Sequence, residues 1–302
     1  MENTTIRFPN LGFEVHPGMS IDVFGIKIAY YGVIIMLAML LGAVISCLEA
    51  RRTKQNIEDY IDFLMYTLIA SIVGARLYYV LFEWGYYSRH PLEIITGLRE
   101  GGLAIYGGII AATLTLWIFS RKRKLSFRLM ADTACLGLVA GQILGRWGNF
   151  FNREAFGGYT DNLLAMMLPV DRAKGLTADL LSKTVEYQGN SYVQVHPTFL
   201  YEGLWNLVLL LLLLLFRKHK KADGEVAALY LVGYGIGRLW IEALRTDQLL
   251  FWHSGVPVSQ VLSFVLVVVA SVWFSIGRYR IYKQKVTQIK EENKKKSSTF
   301  SH

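Results

Sequence analysis

Seven apolar stretches, each close to the length that crosses a bilayer, most constrain how this chain folds. A membrane-spanning helix needs roughly 20 predominantly apolar residues. With 53% hydrophobic and only 18% charged residues, the 302-residue chain is too apolar for a typical soluble domain. A β-barrel would show shorter segments of alternating polarity. We therefore predict an all-α polytopic membrane protein with about seven transmembrane helices, at residues 24–47, 59–82, 101–120, 129–145, 197–216, 225–243 and 256–277.

The basic residues predict how the chain is oriented in the membrane. Cytoplasmic connections carry an excess of Lys and Arg. The chain has a net charge of +9, and most of its basic residues fall in alternate connections: Arg51, Arg52 and Lys54; Arg121 to Lys124 and Arg128; Arg217, Lys218, Lys220 and Lys221; and the tail from Arg278 to Lys296. This pattern places the N-terminus outside and the C-terminus in the cytoplasm. We interpret the basic runs as topology signals and expect no nucleic-acid partner.

Outside the apolar stretches, the chain has one long connection and one charged tail. Residues 1–282 are predicted to form a single transmembrane domain, in which residues 146–196 contribute a small extracytoplasmic cap. Long loops of this kind are often functional. Residues 283–302 are highly charged, which predicts a disordered cytoplasmic tail. The two cysteines, Cys47 and Cys135, give neither a disulfide framework nor a metal-binding pattern, and we expect no metal or other cofactor.

The sixth apolar stretch contains a stripe of polar side chains. Tyr234, Arg238 and Glu242 lie at positions i, i+4 and i+8, and Arg245 follows three residues later. Helical spacing puts all four on one face. A charge at membrane depth costs about 2.5–3.5 kcal/mol, so such residues are candidates for a functional site. The alternative is a structural Arg238–Glu242 ion pair.

Further polar residues are predicted near the same outer end of the membrane domain. They are Tyr31 in AYYG, Arg76 in GARLYYVLFEW, and His196, Tyr201 and Glu202 in HPTFLYEGLWN. In the fifth stretch, Glu202 belongs to a second stripe at i, i+4 and i+8 with Thr198 and Asn206. Scattered structural pairs would have no reason to share one depth, and this shared depth favours a site.

The segment GRWGNFFNREAFGG, residues 145–158, adds polar groups at the mouth of the fourth stretch: Arg146, Asn149, Asn152 and Glu154. Two or three arginines at one depth imply an anionic ligand, most naturally a phosphate, which guanidinium groups bind with bidentate geometry. The chain has no P-loop, zincin pair or G-x-S-x-G elbow, so we expect the nucleophile on the substrate. Arg153 is interpreted as a solvated loop charge.

Six motifs together resemble the prolipoprotein diacylglyceryl transferases, bacterial membrane enzymes that begin lipoprotein lipidation. In the family's order they are AYYG, GARLYYVLF, GGLAIYGG, GRWGNFFNREAFGG, HPTFLYE and YGIGRLWIEALRTD, and they cover nearly the whole chain. The resemblance implies transfer of a diacylglyceryl group from phosphatidylglycerol to the lipobox cysteine in the signal peptide of a preprolipoprotein. Glycerol phosphate would be released, and the active site would lie at the outer face of the bacterial cytoplasmic membrane.

The resemblance also implies which residues form the site. Arg146 and Arg238 match the family's essential arginines, and six further residues match family positions: Tyr31, Asn149, Glu154, Gly157, Tyr234 and Glu242. One departure is Tyr106, which stands where many members have histidine. An unperturbed tyrosine has a pKa near 10, against about 6.5 for histidine, and is a poor base at neutral pH. Glu154, Glu242 and Tyr106 are therefore alternatives as acceptor of the thiol proton.

A secondary transporter of an anionic solute is the alternative function. It would also place arginines and glutamates in membrane spans, but with a site near the midplane and a polar path to both faces. The inner half of the fifth stretch, LVLLLLLLLF, offers no such path. The sequence therefore favours the enzyme.

Overall fold

The long helices of the protein occupy the seven apolar stretches. A computed structural model describes residues 4–97, 101–250 and 255–299. In these ranges the long helices are α1 (Tyr30–Arg52), α2 (Ile57–Phe82), α5 (Ile105–Lys122), α6 (Phe127–Asn152), α8 (Thr198–Phe216), α9 (Glu225–Glu242) and α10 (Val258–Thr299). Short helices are α3 (Trp84–Tyr87), α4 (Glu93–Thr96) and α7 (Ala178–Leu181). Five helices, α1, α2, α6, α8 and α10, are long and apolar enough to cross a membrane, as in a polytopic membrane protein.

The prediction of an all-α fold is incomplete, because a five-stranded antiparallel sheet accompanies the helices. Its strands are β1 (Ile6–Phe8), β2 (Phe13–Val15), β5 (Met166–Pro169), β6 (Val185–Tyr187) and β7 (Asn190–Val195), in the order β2-β1-β5-β7-β6. Arg7 pairs with Met167, and Leu168 pairs with Val193. One face of the sheet packs on aromatic residues at the end of α6 and the start of α8, including Phe150 and Phe199. The sheet therefore combines three strands from the predicted cap segment, residues 146–196, with two strands from the N-terminal segment.

The first apolar stretch does not begin as a helix. Residues 24–29, predicted to open the first span, instead form the turn and second strand of a hairpin of β3 (Ser20–Val23) and β4 (Ile26–Ala29), and α1 begins only at Tyr30. Phe24 and Gly25 make the turn with φ of 53° and 81°. Alternating β-branched residues in SIDV and IKIA favour strands, and glycine readily adopts the positive φ of the second turn position.

Residues 283–299 of the tail predicted as disordered continue the last helix of the structure. The last helix, α10, is 42 residues long and ends at Thr299. Lys, Glu and Gln, which dominate this segment, have high helix propensity. Extending an existing helix also avoids the costly nucleation step, so a charged tail that follows an apolar helix continues it.

Two compact units divide the chain. The first, called the sheet unit, comprises Met1–Gly42 and Cys135–His302; the second, called the α2–α5 unit, comprises Ala43–Ala134. Inside the sheet unit, glycines let α1 and α6 approach closely. A Cβ atom added to Gly42 would lie 2.8 Å from the carbonyl oxygen of Gly137. Small residues serve this purpose in membrane helix packing.

Candidate functional site

Three arginines and two glutamates meet within the sheet unit and form what we call the arginine cluster. Arg146 on α6 pairs with Glu202 on α8, with 2.6 Å between Nη2 and Oε2. Arg238 on α9 pairs with Glu202 Oε1 at 3.0 Å and also with Glu242. Arg245, just after α9, lies 3.6 Å from Glu202 Oε1 and 4.0 Å from Glu242 Oε2. The polar stripes predicted on α8 and α9 therefore meet the end of α6 at Glu202.

Burial strengthens the electrostatics of the arginine cluster. Glu202 and Glu242 are 3% and 4% exposed. Charges interact more strongly where water is excluded. The three guanidinium groups outnumber these two carboxylates, and the third counter-charge is the more exposed Asp247, which accepts two hydrogen bonds from Arg245 at 2.9 and 2.7 Å. The three guanidinium groups are thus balanced in formal charge by three carboxylates, and 12–21% of each arginine side chain stays exposed. The predicted structural pair Arg238–Glu242 is part of the same cluster.

Two tyrosines predicted to bind substrate lie beside this cluster. Tyr31, in the first turn of α1, is close enough to Arg146 and Glu154 to interact with both charges. Tyr234 lies one helical turn before Arg238 and lines a small cavity with it. Both residues are half-buried.

The end of the GRWGNFFNREAFGG segment is tied to two other chain segments by backbone hydrogen bonds. The Gly157 amide donates to the His196 carbonyl at 3.0 Å, and the Gly158 amide donates to the Leu244 carbonyl at 2.9 Å. Gly157 also forms a bridge with Arg245. A Cβ atom on Gly157 would lie 2.7 Å from both the His196 Cβ and the Leu244 oxygen, so only glycine fits there. This close backbone packing positions Arg245 within the arginine cluster.

Asn149 and Glu154 lie at the end of α6 and contact each other. The Asn149 side chain donates to Glu154 Oε1 at 3.3 Å, and Lys174 Nζ lies 3.6 Å from Glu154 Oε2. Asn152 is the last residue of α6 and is half-buried. The contact of Lys174 with this carboxylate could not be predicted, because nothing in the spacing of Lys174 along the chain relates it to Glu154.

The interpretation of Arg153 as a solvated loop charge is wrong. Its side chain is 1% exposed. Its guanidinium donates to the Phe151 carbonyl at 3.1 Å and to the Thr4 and Pro17 carbonyls at 2.8 and 2.7 Å. Burial lowers the pKa of Arg153 below the ordinary arginine value. This residue therefore fastens the N-terminal segment to the end of α6.

Two predicted site residues, Arg76 and Tyr106, belong to the α2–α5 unit. Arg76 is 5% exposed, and its guanidinium donates to the backbone carbonyls of Glu93, Ile94, Gly101 and Gly102. These hydrogen bonds use the guanidinium donors of Arg76. They favour a structural role, in which Arg76 stabilises the connection between α2 and α5. Tyr106 lies in the first turn of α5 and is half-buried.

His196 and Tyr201, predicted as binding residues, contact a residue that sequence reasoning missed. Both side chains lie within hydrogen-bonding distance of Asn162 in the sheet unit. Burial lowers the pKa of the His196 imidazole from its ordinary value of 6.5. The ring is therefore neutral at pH 7. Asn162 stands in a mixed-polarity loop, where its sequence context gives no signal.

Comparison with known proteins identifies the family. The sequence profile described as prolipoprotein diacylglyceryl transferase matches residues 19–276. The chain belongs to the prolipoprotein diacylglyceryl transferase family. It is similar to the phosphatidylglycerol–prolipoprotein diacylglyceryl transferases of Acaryochloris marina, with 42% identity over 252 residues (82% of this chain, 86% of the relative), and Finegoldia magna, with 39% over 251 residues (83% and 91%). The enzyme from Clostridioides difficile is 38% identical over 250 residues (83% and 91%).

Membership in the prolipoprotein diacylglyceryl transferase family confirms the resemblance found from the six motifs and makes the chain a transferase. The family match covers the whole arginine cluster, from Arg146 to Arg245. Within residues 4–97, 101–250 and 255–299, no group of three or more His, Cys, Asp or Glu side chains is placed to hold a metal ion.

Proposed function

We propose that this transferase moves the diacylglyceryl group of phosphatidylglycerol to the lipobox cysteine thiol of a preprolipoprotein. Phosphatidylglycerol carries one phosphate between its diacylglyceryl part and its head glycerol. The observation that carries the proposal is that Arg146 and Arg238, from different helices, converge on one buried carboxylate, Glu202. Two guanidinium groups fixed in this way form a binding site for a phosphate at a lipid-accessible position.

The proposed step is a substitution at the glyceryl carbon. The cysteine thiolate attacks this carbon, a carbon–sulfur bond forms, and the carbon–oxygen bond to the phosphate breaks. The electron pair leaves with the phosphate oxygen, giving a thioether and glycerol phosphate. Arg146 and Arg238 stabilise the charge that develops on this oxygen. Such electrostatic stabilisation of the transition state is usually the largest single contribution to catalysis. Glu202 holds both guanidinium groups in place before the lipid arrives.

The same proposal includes the orientation in a bacterial cytoplasmic membrane, with seven spans, the N-terminus outside and the C-terminus in the cytoplasm. Arg146 lies near the end of α6 and Glu202 near the start of α8, the two helix ends that connect to the sheet, and Arg238 lies near the end of α9. The basic connections after α5 and α8 lie at the opposite helix ends, which the positive-inside rule assigns to the cytoplasm. The site and the sheet, as an extracytoplasmic cap, would then face outward.

A transfer assay tests this function. The purified protein is placed in vesicles of phosphatidylglycerol labelled in the diacylglyceryl part and given a synthetic lipobox peptide. We expect label in the peptide through a thioether bond, and none in a matched peptide with serine in place of cysteine. Absence of labelled peptide would contradict the enzyme, and uptake of an anionic solute without peptide would favour the transporter.

We further propose that Glu154 accepts the thiol proton. Glu242 already pairs through Oε2 with the guanidinium groups of Arg238 and Arg245, and a tyrosine, with an unperturbed pKa near 10, is a poor base at neutral pH. Glu154→Gln is expected to lower kcat about 10²–10⁴-fold at pH 7, the usual contribution of general base catalysis. Tyr106→Phe is expected to stay within about threefold, below the contribution of a general base.

The pH dependence of kcat separates a base from a structural residue. A cysteine thiol ionises by itself above its pKa of about 8.5, so raising the pH should restore most of the rate of Glu154→Gln. A variant that lost only its fold would not recover in this way. If Tyr106→Phe loses the rate and Glu154→Gln keeps it, the assignment is wrong.

A further inference from the structure

Asn162, His196 and Tyr201 form a second polar group in the sheet unit, which we call the neutral cluster. The Asn162 Nδ2 donates to the Tyr201 hydroxyl at 2.9 Å and lies 3.4 Å from His196 Nδ1. His196 Nδ1 and the Tyr201 hydroxyl are 3.3 Å apart. Asn162 is exposed and the other two are half-buried, so a ligand can reach all three. The proposed transfer step uses none of them.

The hydrogen bonds determine which groups of this cluster remain available. Asn162 Oδ1 accepts from the Leu164 amide at 3.0 Å, which orients Nδ2 toward His196 and Tyr201. Because Nδ2 can only donate, His196 Nδ1 accepts, and the neutral imidazole carries its proton on Nε2. Nε2 has no hydrogen bond to a residue that the structure describes. The cluster thus offers an N–H donor and a phenolic hydroxyl, without formal charge, to a ligand.

The neutral cluster is adjacent to the arginine cluster. Gly157 donates to the His196 carbonyl and forms a bridge with Arg245 on its other side. Neighbouring extended segments lie about 4.8 Å apart, so the backbones of His196 and Arg245 are separated by about 10 Å. Next to Gly157, Gly158 has nothing within 4 Å of the position of a Cβ atom, which leaves open space beside His196. Arg245 in turn contacts Glu202 and Glu242, so the open space beside His196 lies two extended segments away from a member of the arginine cluster.

We propose that Asn162, His196 and Tyr201 bind the hydroxylated, uncharged part of the phospholipid headgroup and select glycerol there. The inference rests on the proposed function, because it requires the phosphate to bind at the arginine cluster. Each hydroxyl of the head glycerol can both donate and accept one hydrogen bond, which matches the donor and acceptor that the cluster offers. A site built to hydrogen-bond a substrate hydroxyl rejects an analogue that lacks it. The arginine cluster binds the phosphate, and the neutral cluster sets headgroup specificity.

The test compares two lipids in the transfer assay: phosphatidylglycerol, and phosphatidylpropanol with the same acyl chains and no headgroup hydroxyl. The measured quantity is the ratio of their kcat/KM values. The parent protein is expected to prefer phosphatidylglycerol at least about tenfold, and Tyr201→Phe to reduce this ratio about tenfold through loss on phosphatidylglycerol alone. Tyr159→Phe, which removes the same atom from an exposed ring of the same unit, should keep the parent ratio.

Three outcomes distinguish the possibilities. An unchanged ratio in Tyr201→Phe, or an equal loss on both lipids, overturns the subsite. If Tyr201→Phe does not fold, Asn162→Ala replaces an exposed residue and is expected to reduce the ratio in the same direction. If the parent protein transfers from neither lipid, the proposed function itself fails, which is a different result from transfer without discrimination.

Discussion

Arg238→Lys is expected to lower kcat/KM for diacylglyceryl transfer about 10³-fold, in the range seen when a preorganised charge-stabilising group is removed. Arg238 uses two nitrogens to reach Glu202 and Glu242, and a planar guanidinium can present a further edge to phosphate. Lysine is a compact point charge and cannot hold this geometry. Initial rates at low and saturating phosphatidylglycerol measure the loss. We expect the same direction for Arg146→Lys, since both side chains share Glu202.

The matched control is Arg278→Lys, which alters a similar buried ion pair elsewhere in the sheet unit. Arg278 Nε lies 2.7 Å from Glu225 Oε1, and Glu225 is 4% exposed. Both variants should lose comparable thermal stability, whereas only Arg238→Lys should lose catalysis. Equal loss of activity in the two variants would attribute the effect to folding. A rate for Arg238→Lys within about threefold of the parent would contradict the proposed charge stabilisation.

Arg153→Ala is expected to destabilise the protein by about 3–5 kcal/mol, because a buried side chain is lost and three backbone carbonyls lose their donor. The affected carbonyls belong to Thr4, Pro17 and Phe151. Unfolding in detergent measures the total loss. Hydrogen exchange should show its location, with faster exchange in residues 4–17 than in the helices.

Arg7→Ala in β1 is the control for this effect. Arg7 lies over the Tyr187 ring at 4.0 Å, a contact between two half-buried residues worth about 1 kcal/mol. A stability loss for Arg153→Ala no larger than that for Arg7→Ala, with unchanged exchange in residues 4–17, would show that Arg153 does not hold the N-terminal segment.

Hydropathy predicted where the long helices lie because bilayer thickness fixes the length of an apolar span. It failed at residues 24–29, where a short apolar run does not distinguish a strand from a buried helix. The Phe24–Gly25 turn was the available signal for the hairpin. The N-terminal strands were missed for another reason: their partner β5 lies far along the chain, and single-sequence patterns contain no information on such pairing.

Helical spacing predicted the polar stripe that carries Arg238 and Glu242, because residues four apart on a helix share a face. It did not show that Glu202 is the shared partner of Arg146 and Arg238, since the approach of three helices is a tertiary property. Arg153 was misinterpreted because arginine is rarely fully buried, and its acceptors are backbone oxygens that no side-chain pattern reveals.

The pairing of Arg7 with Met167 has a consequence for how the protein is made. A chain leaves the ribosome N-terminus first, so β1 has no pairing partner while α1, α2, α5 and α6 are synthesised. Long-range pairing of this kind forms late, because the chain loses the entropy of closing a long loop before the contact contributes any stabilising free energy. Arg238 and Arg245 are synthesised later still. A nascent chain therefore holds no assembled arginine cluster, and it cannot consume the surrounding lipid until its own insertion is nearly complete.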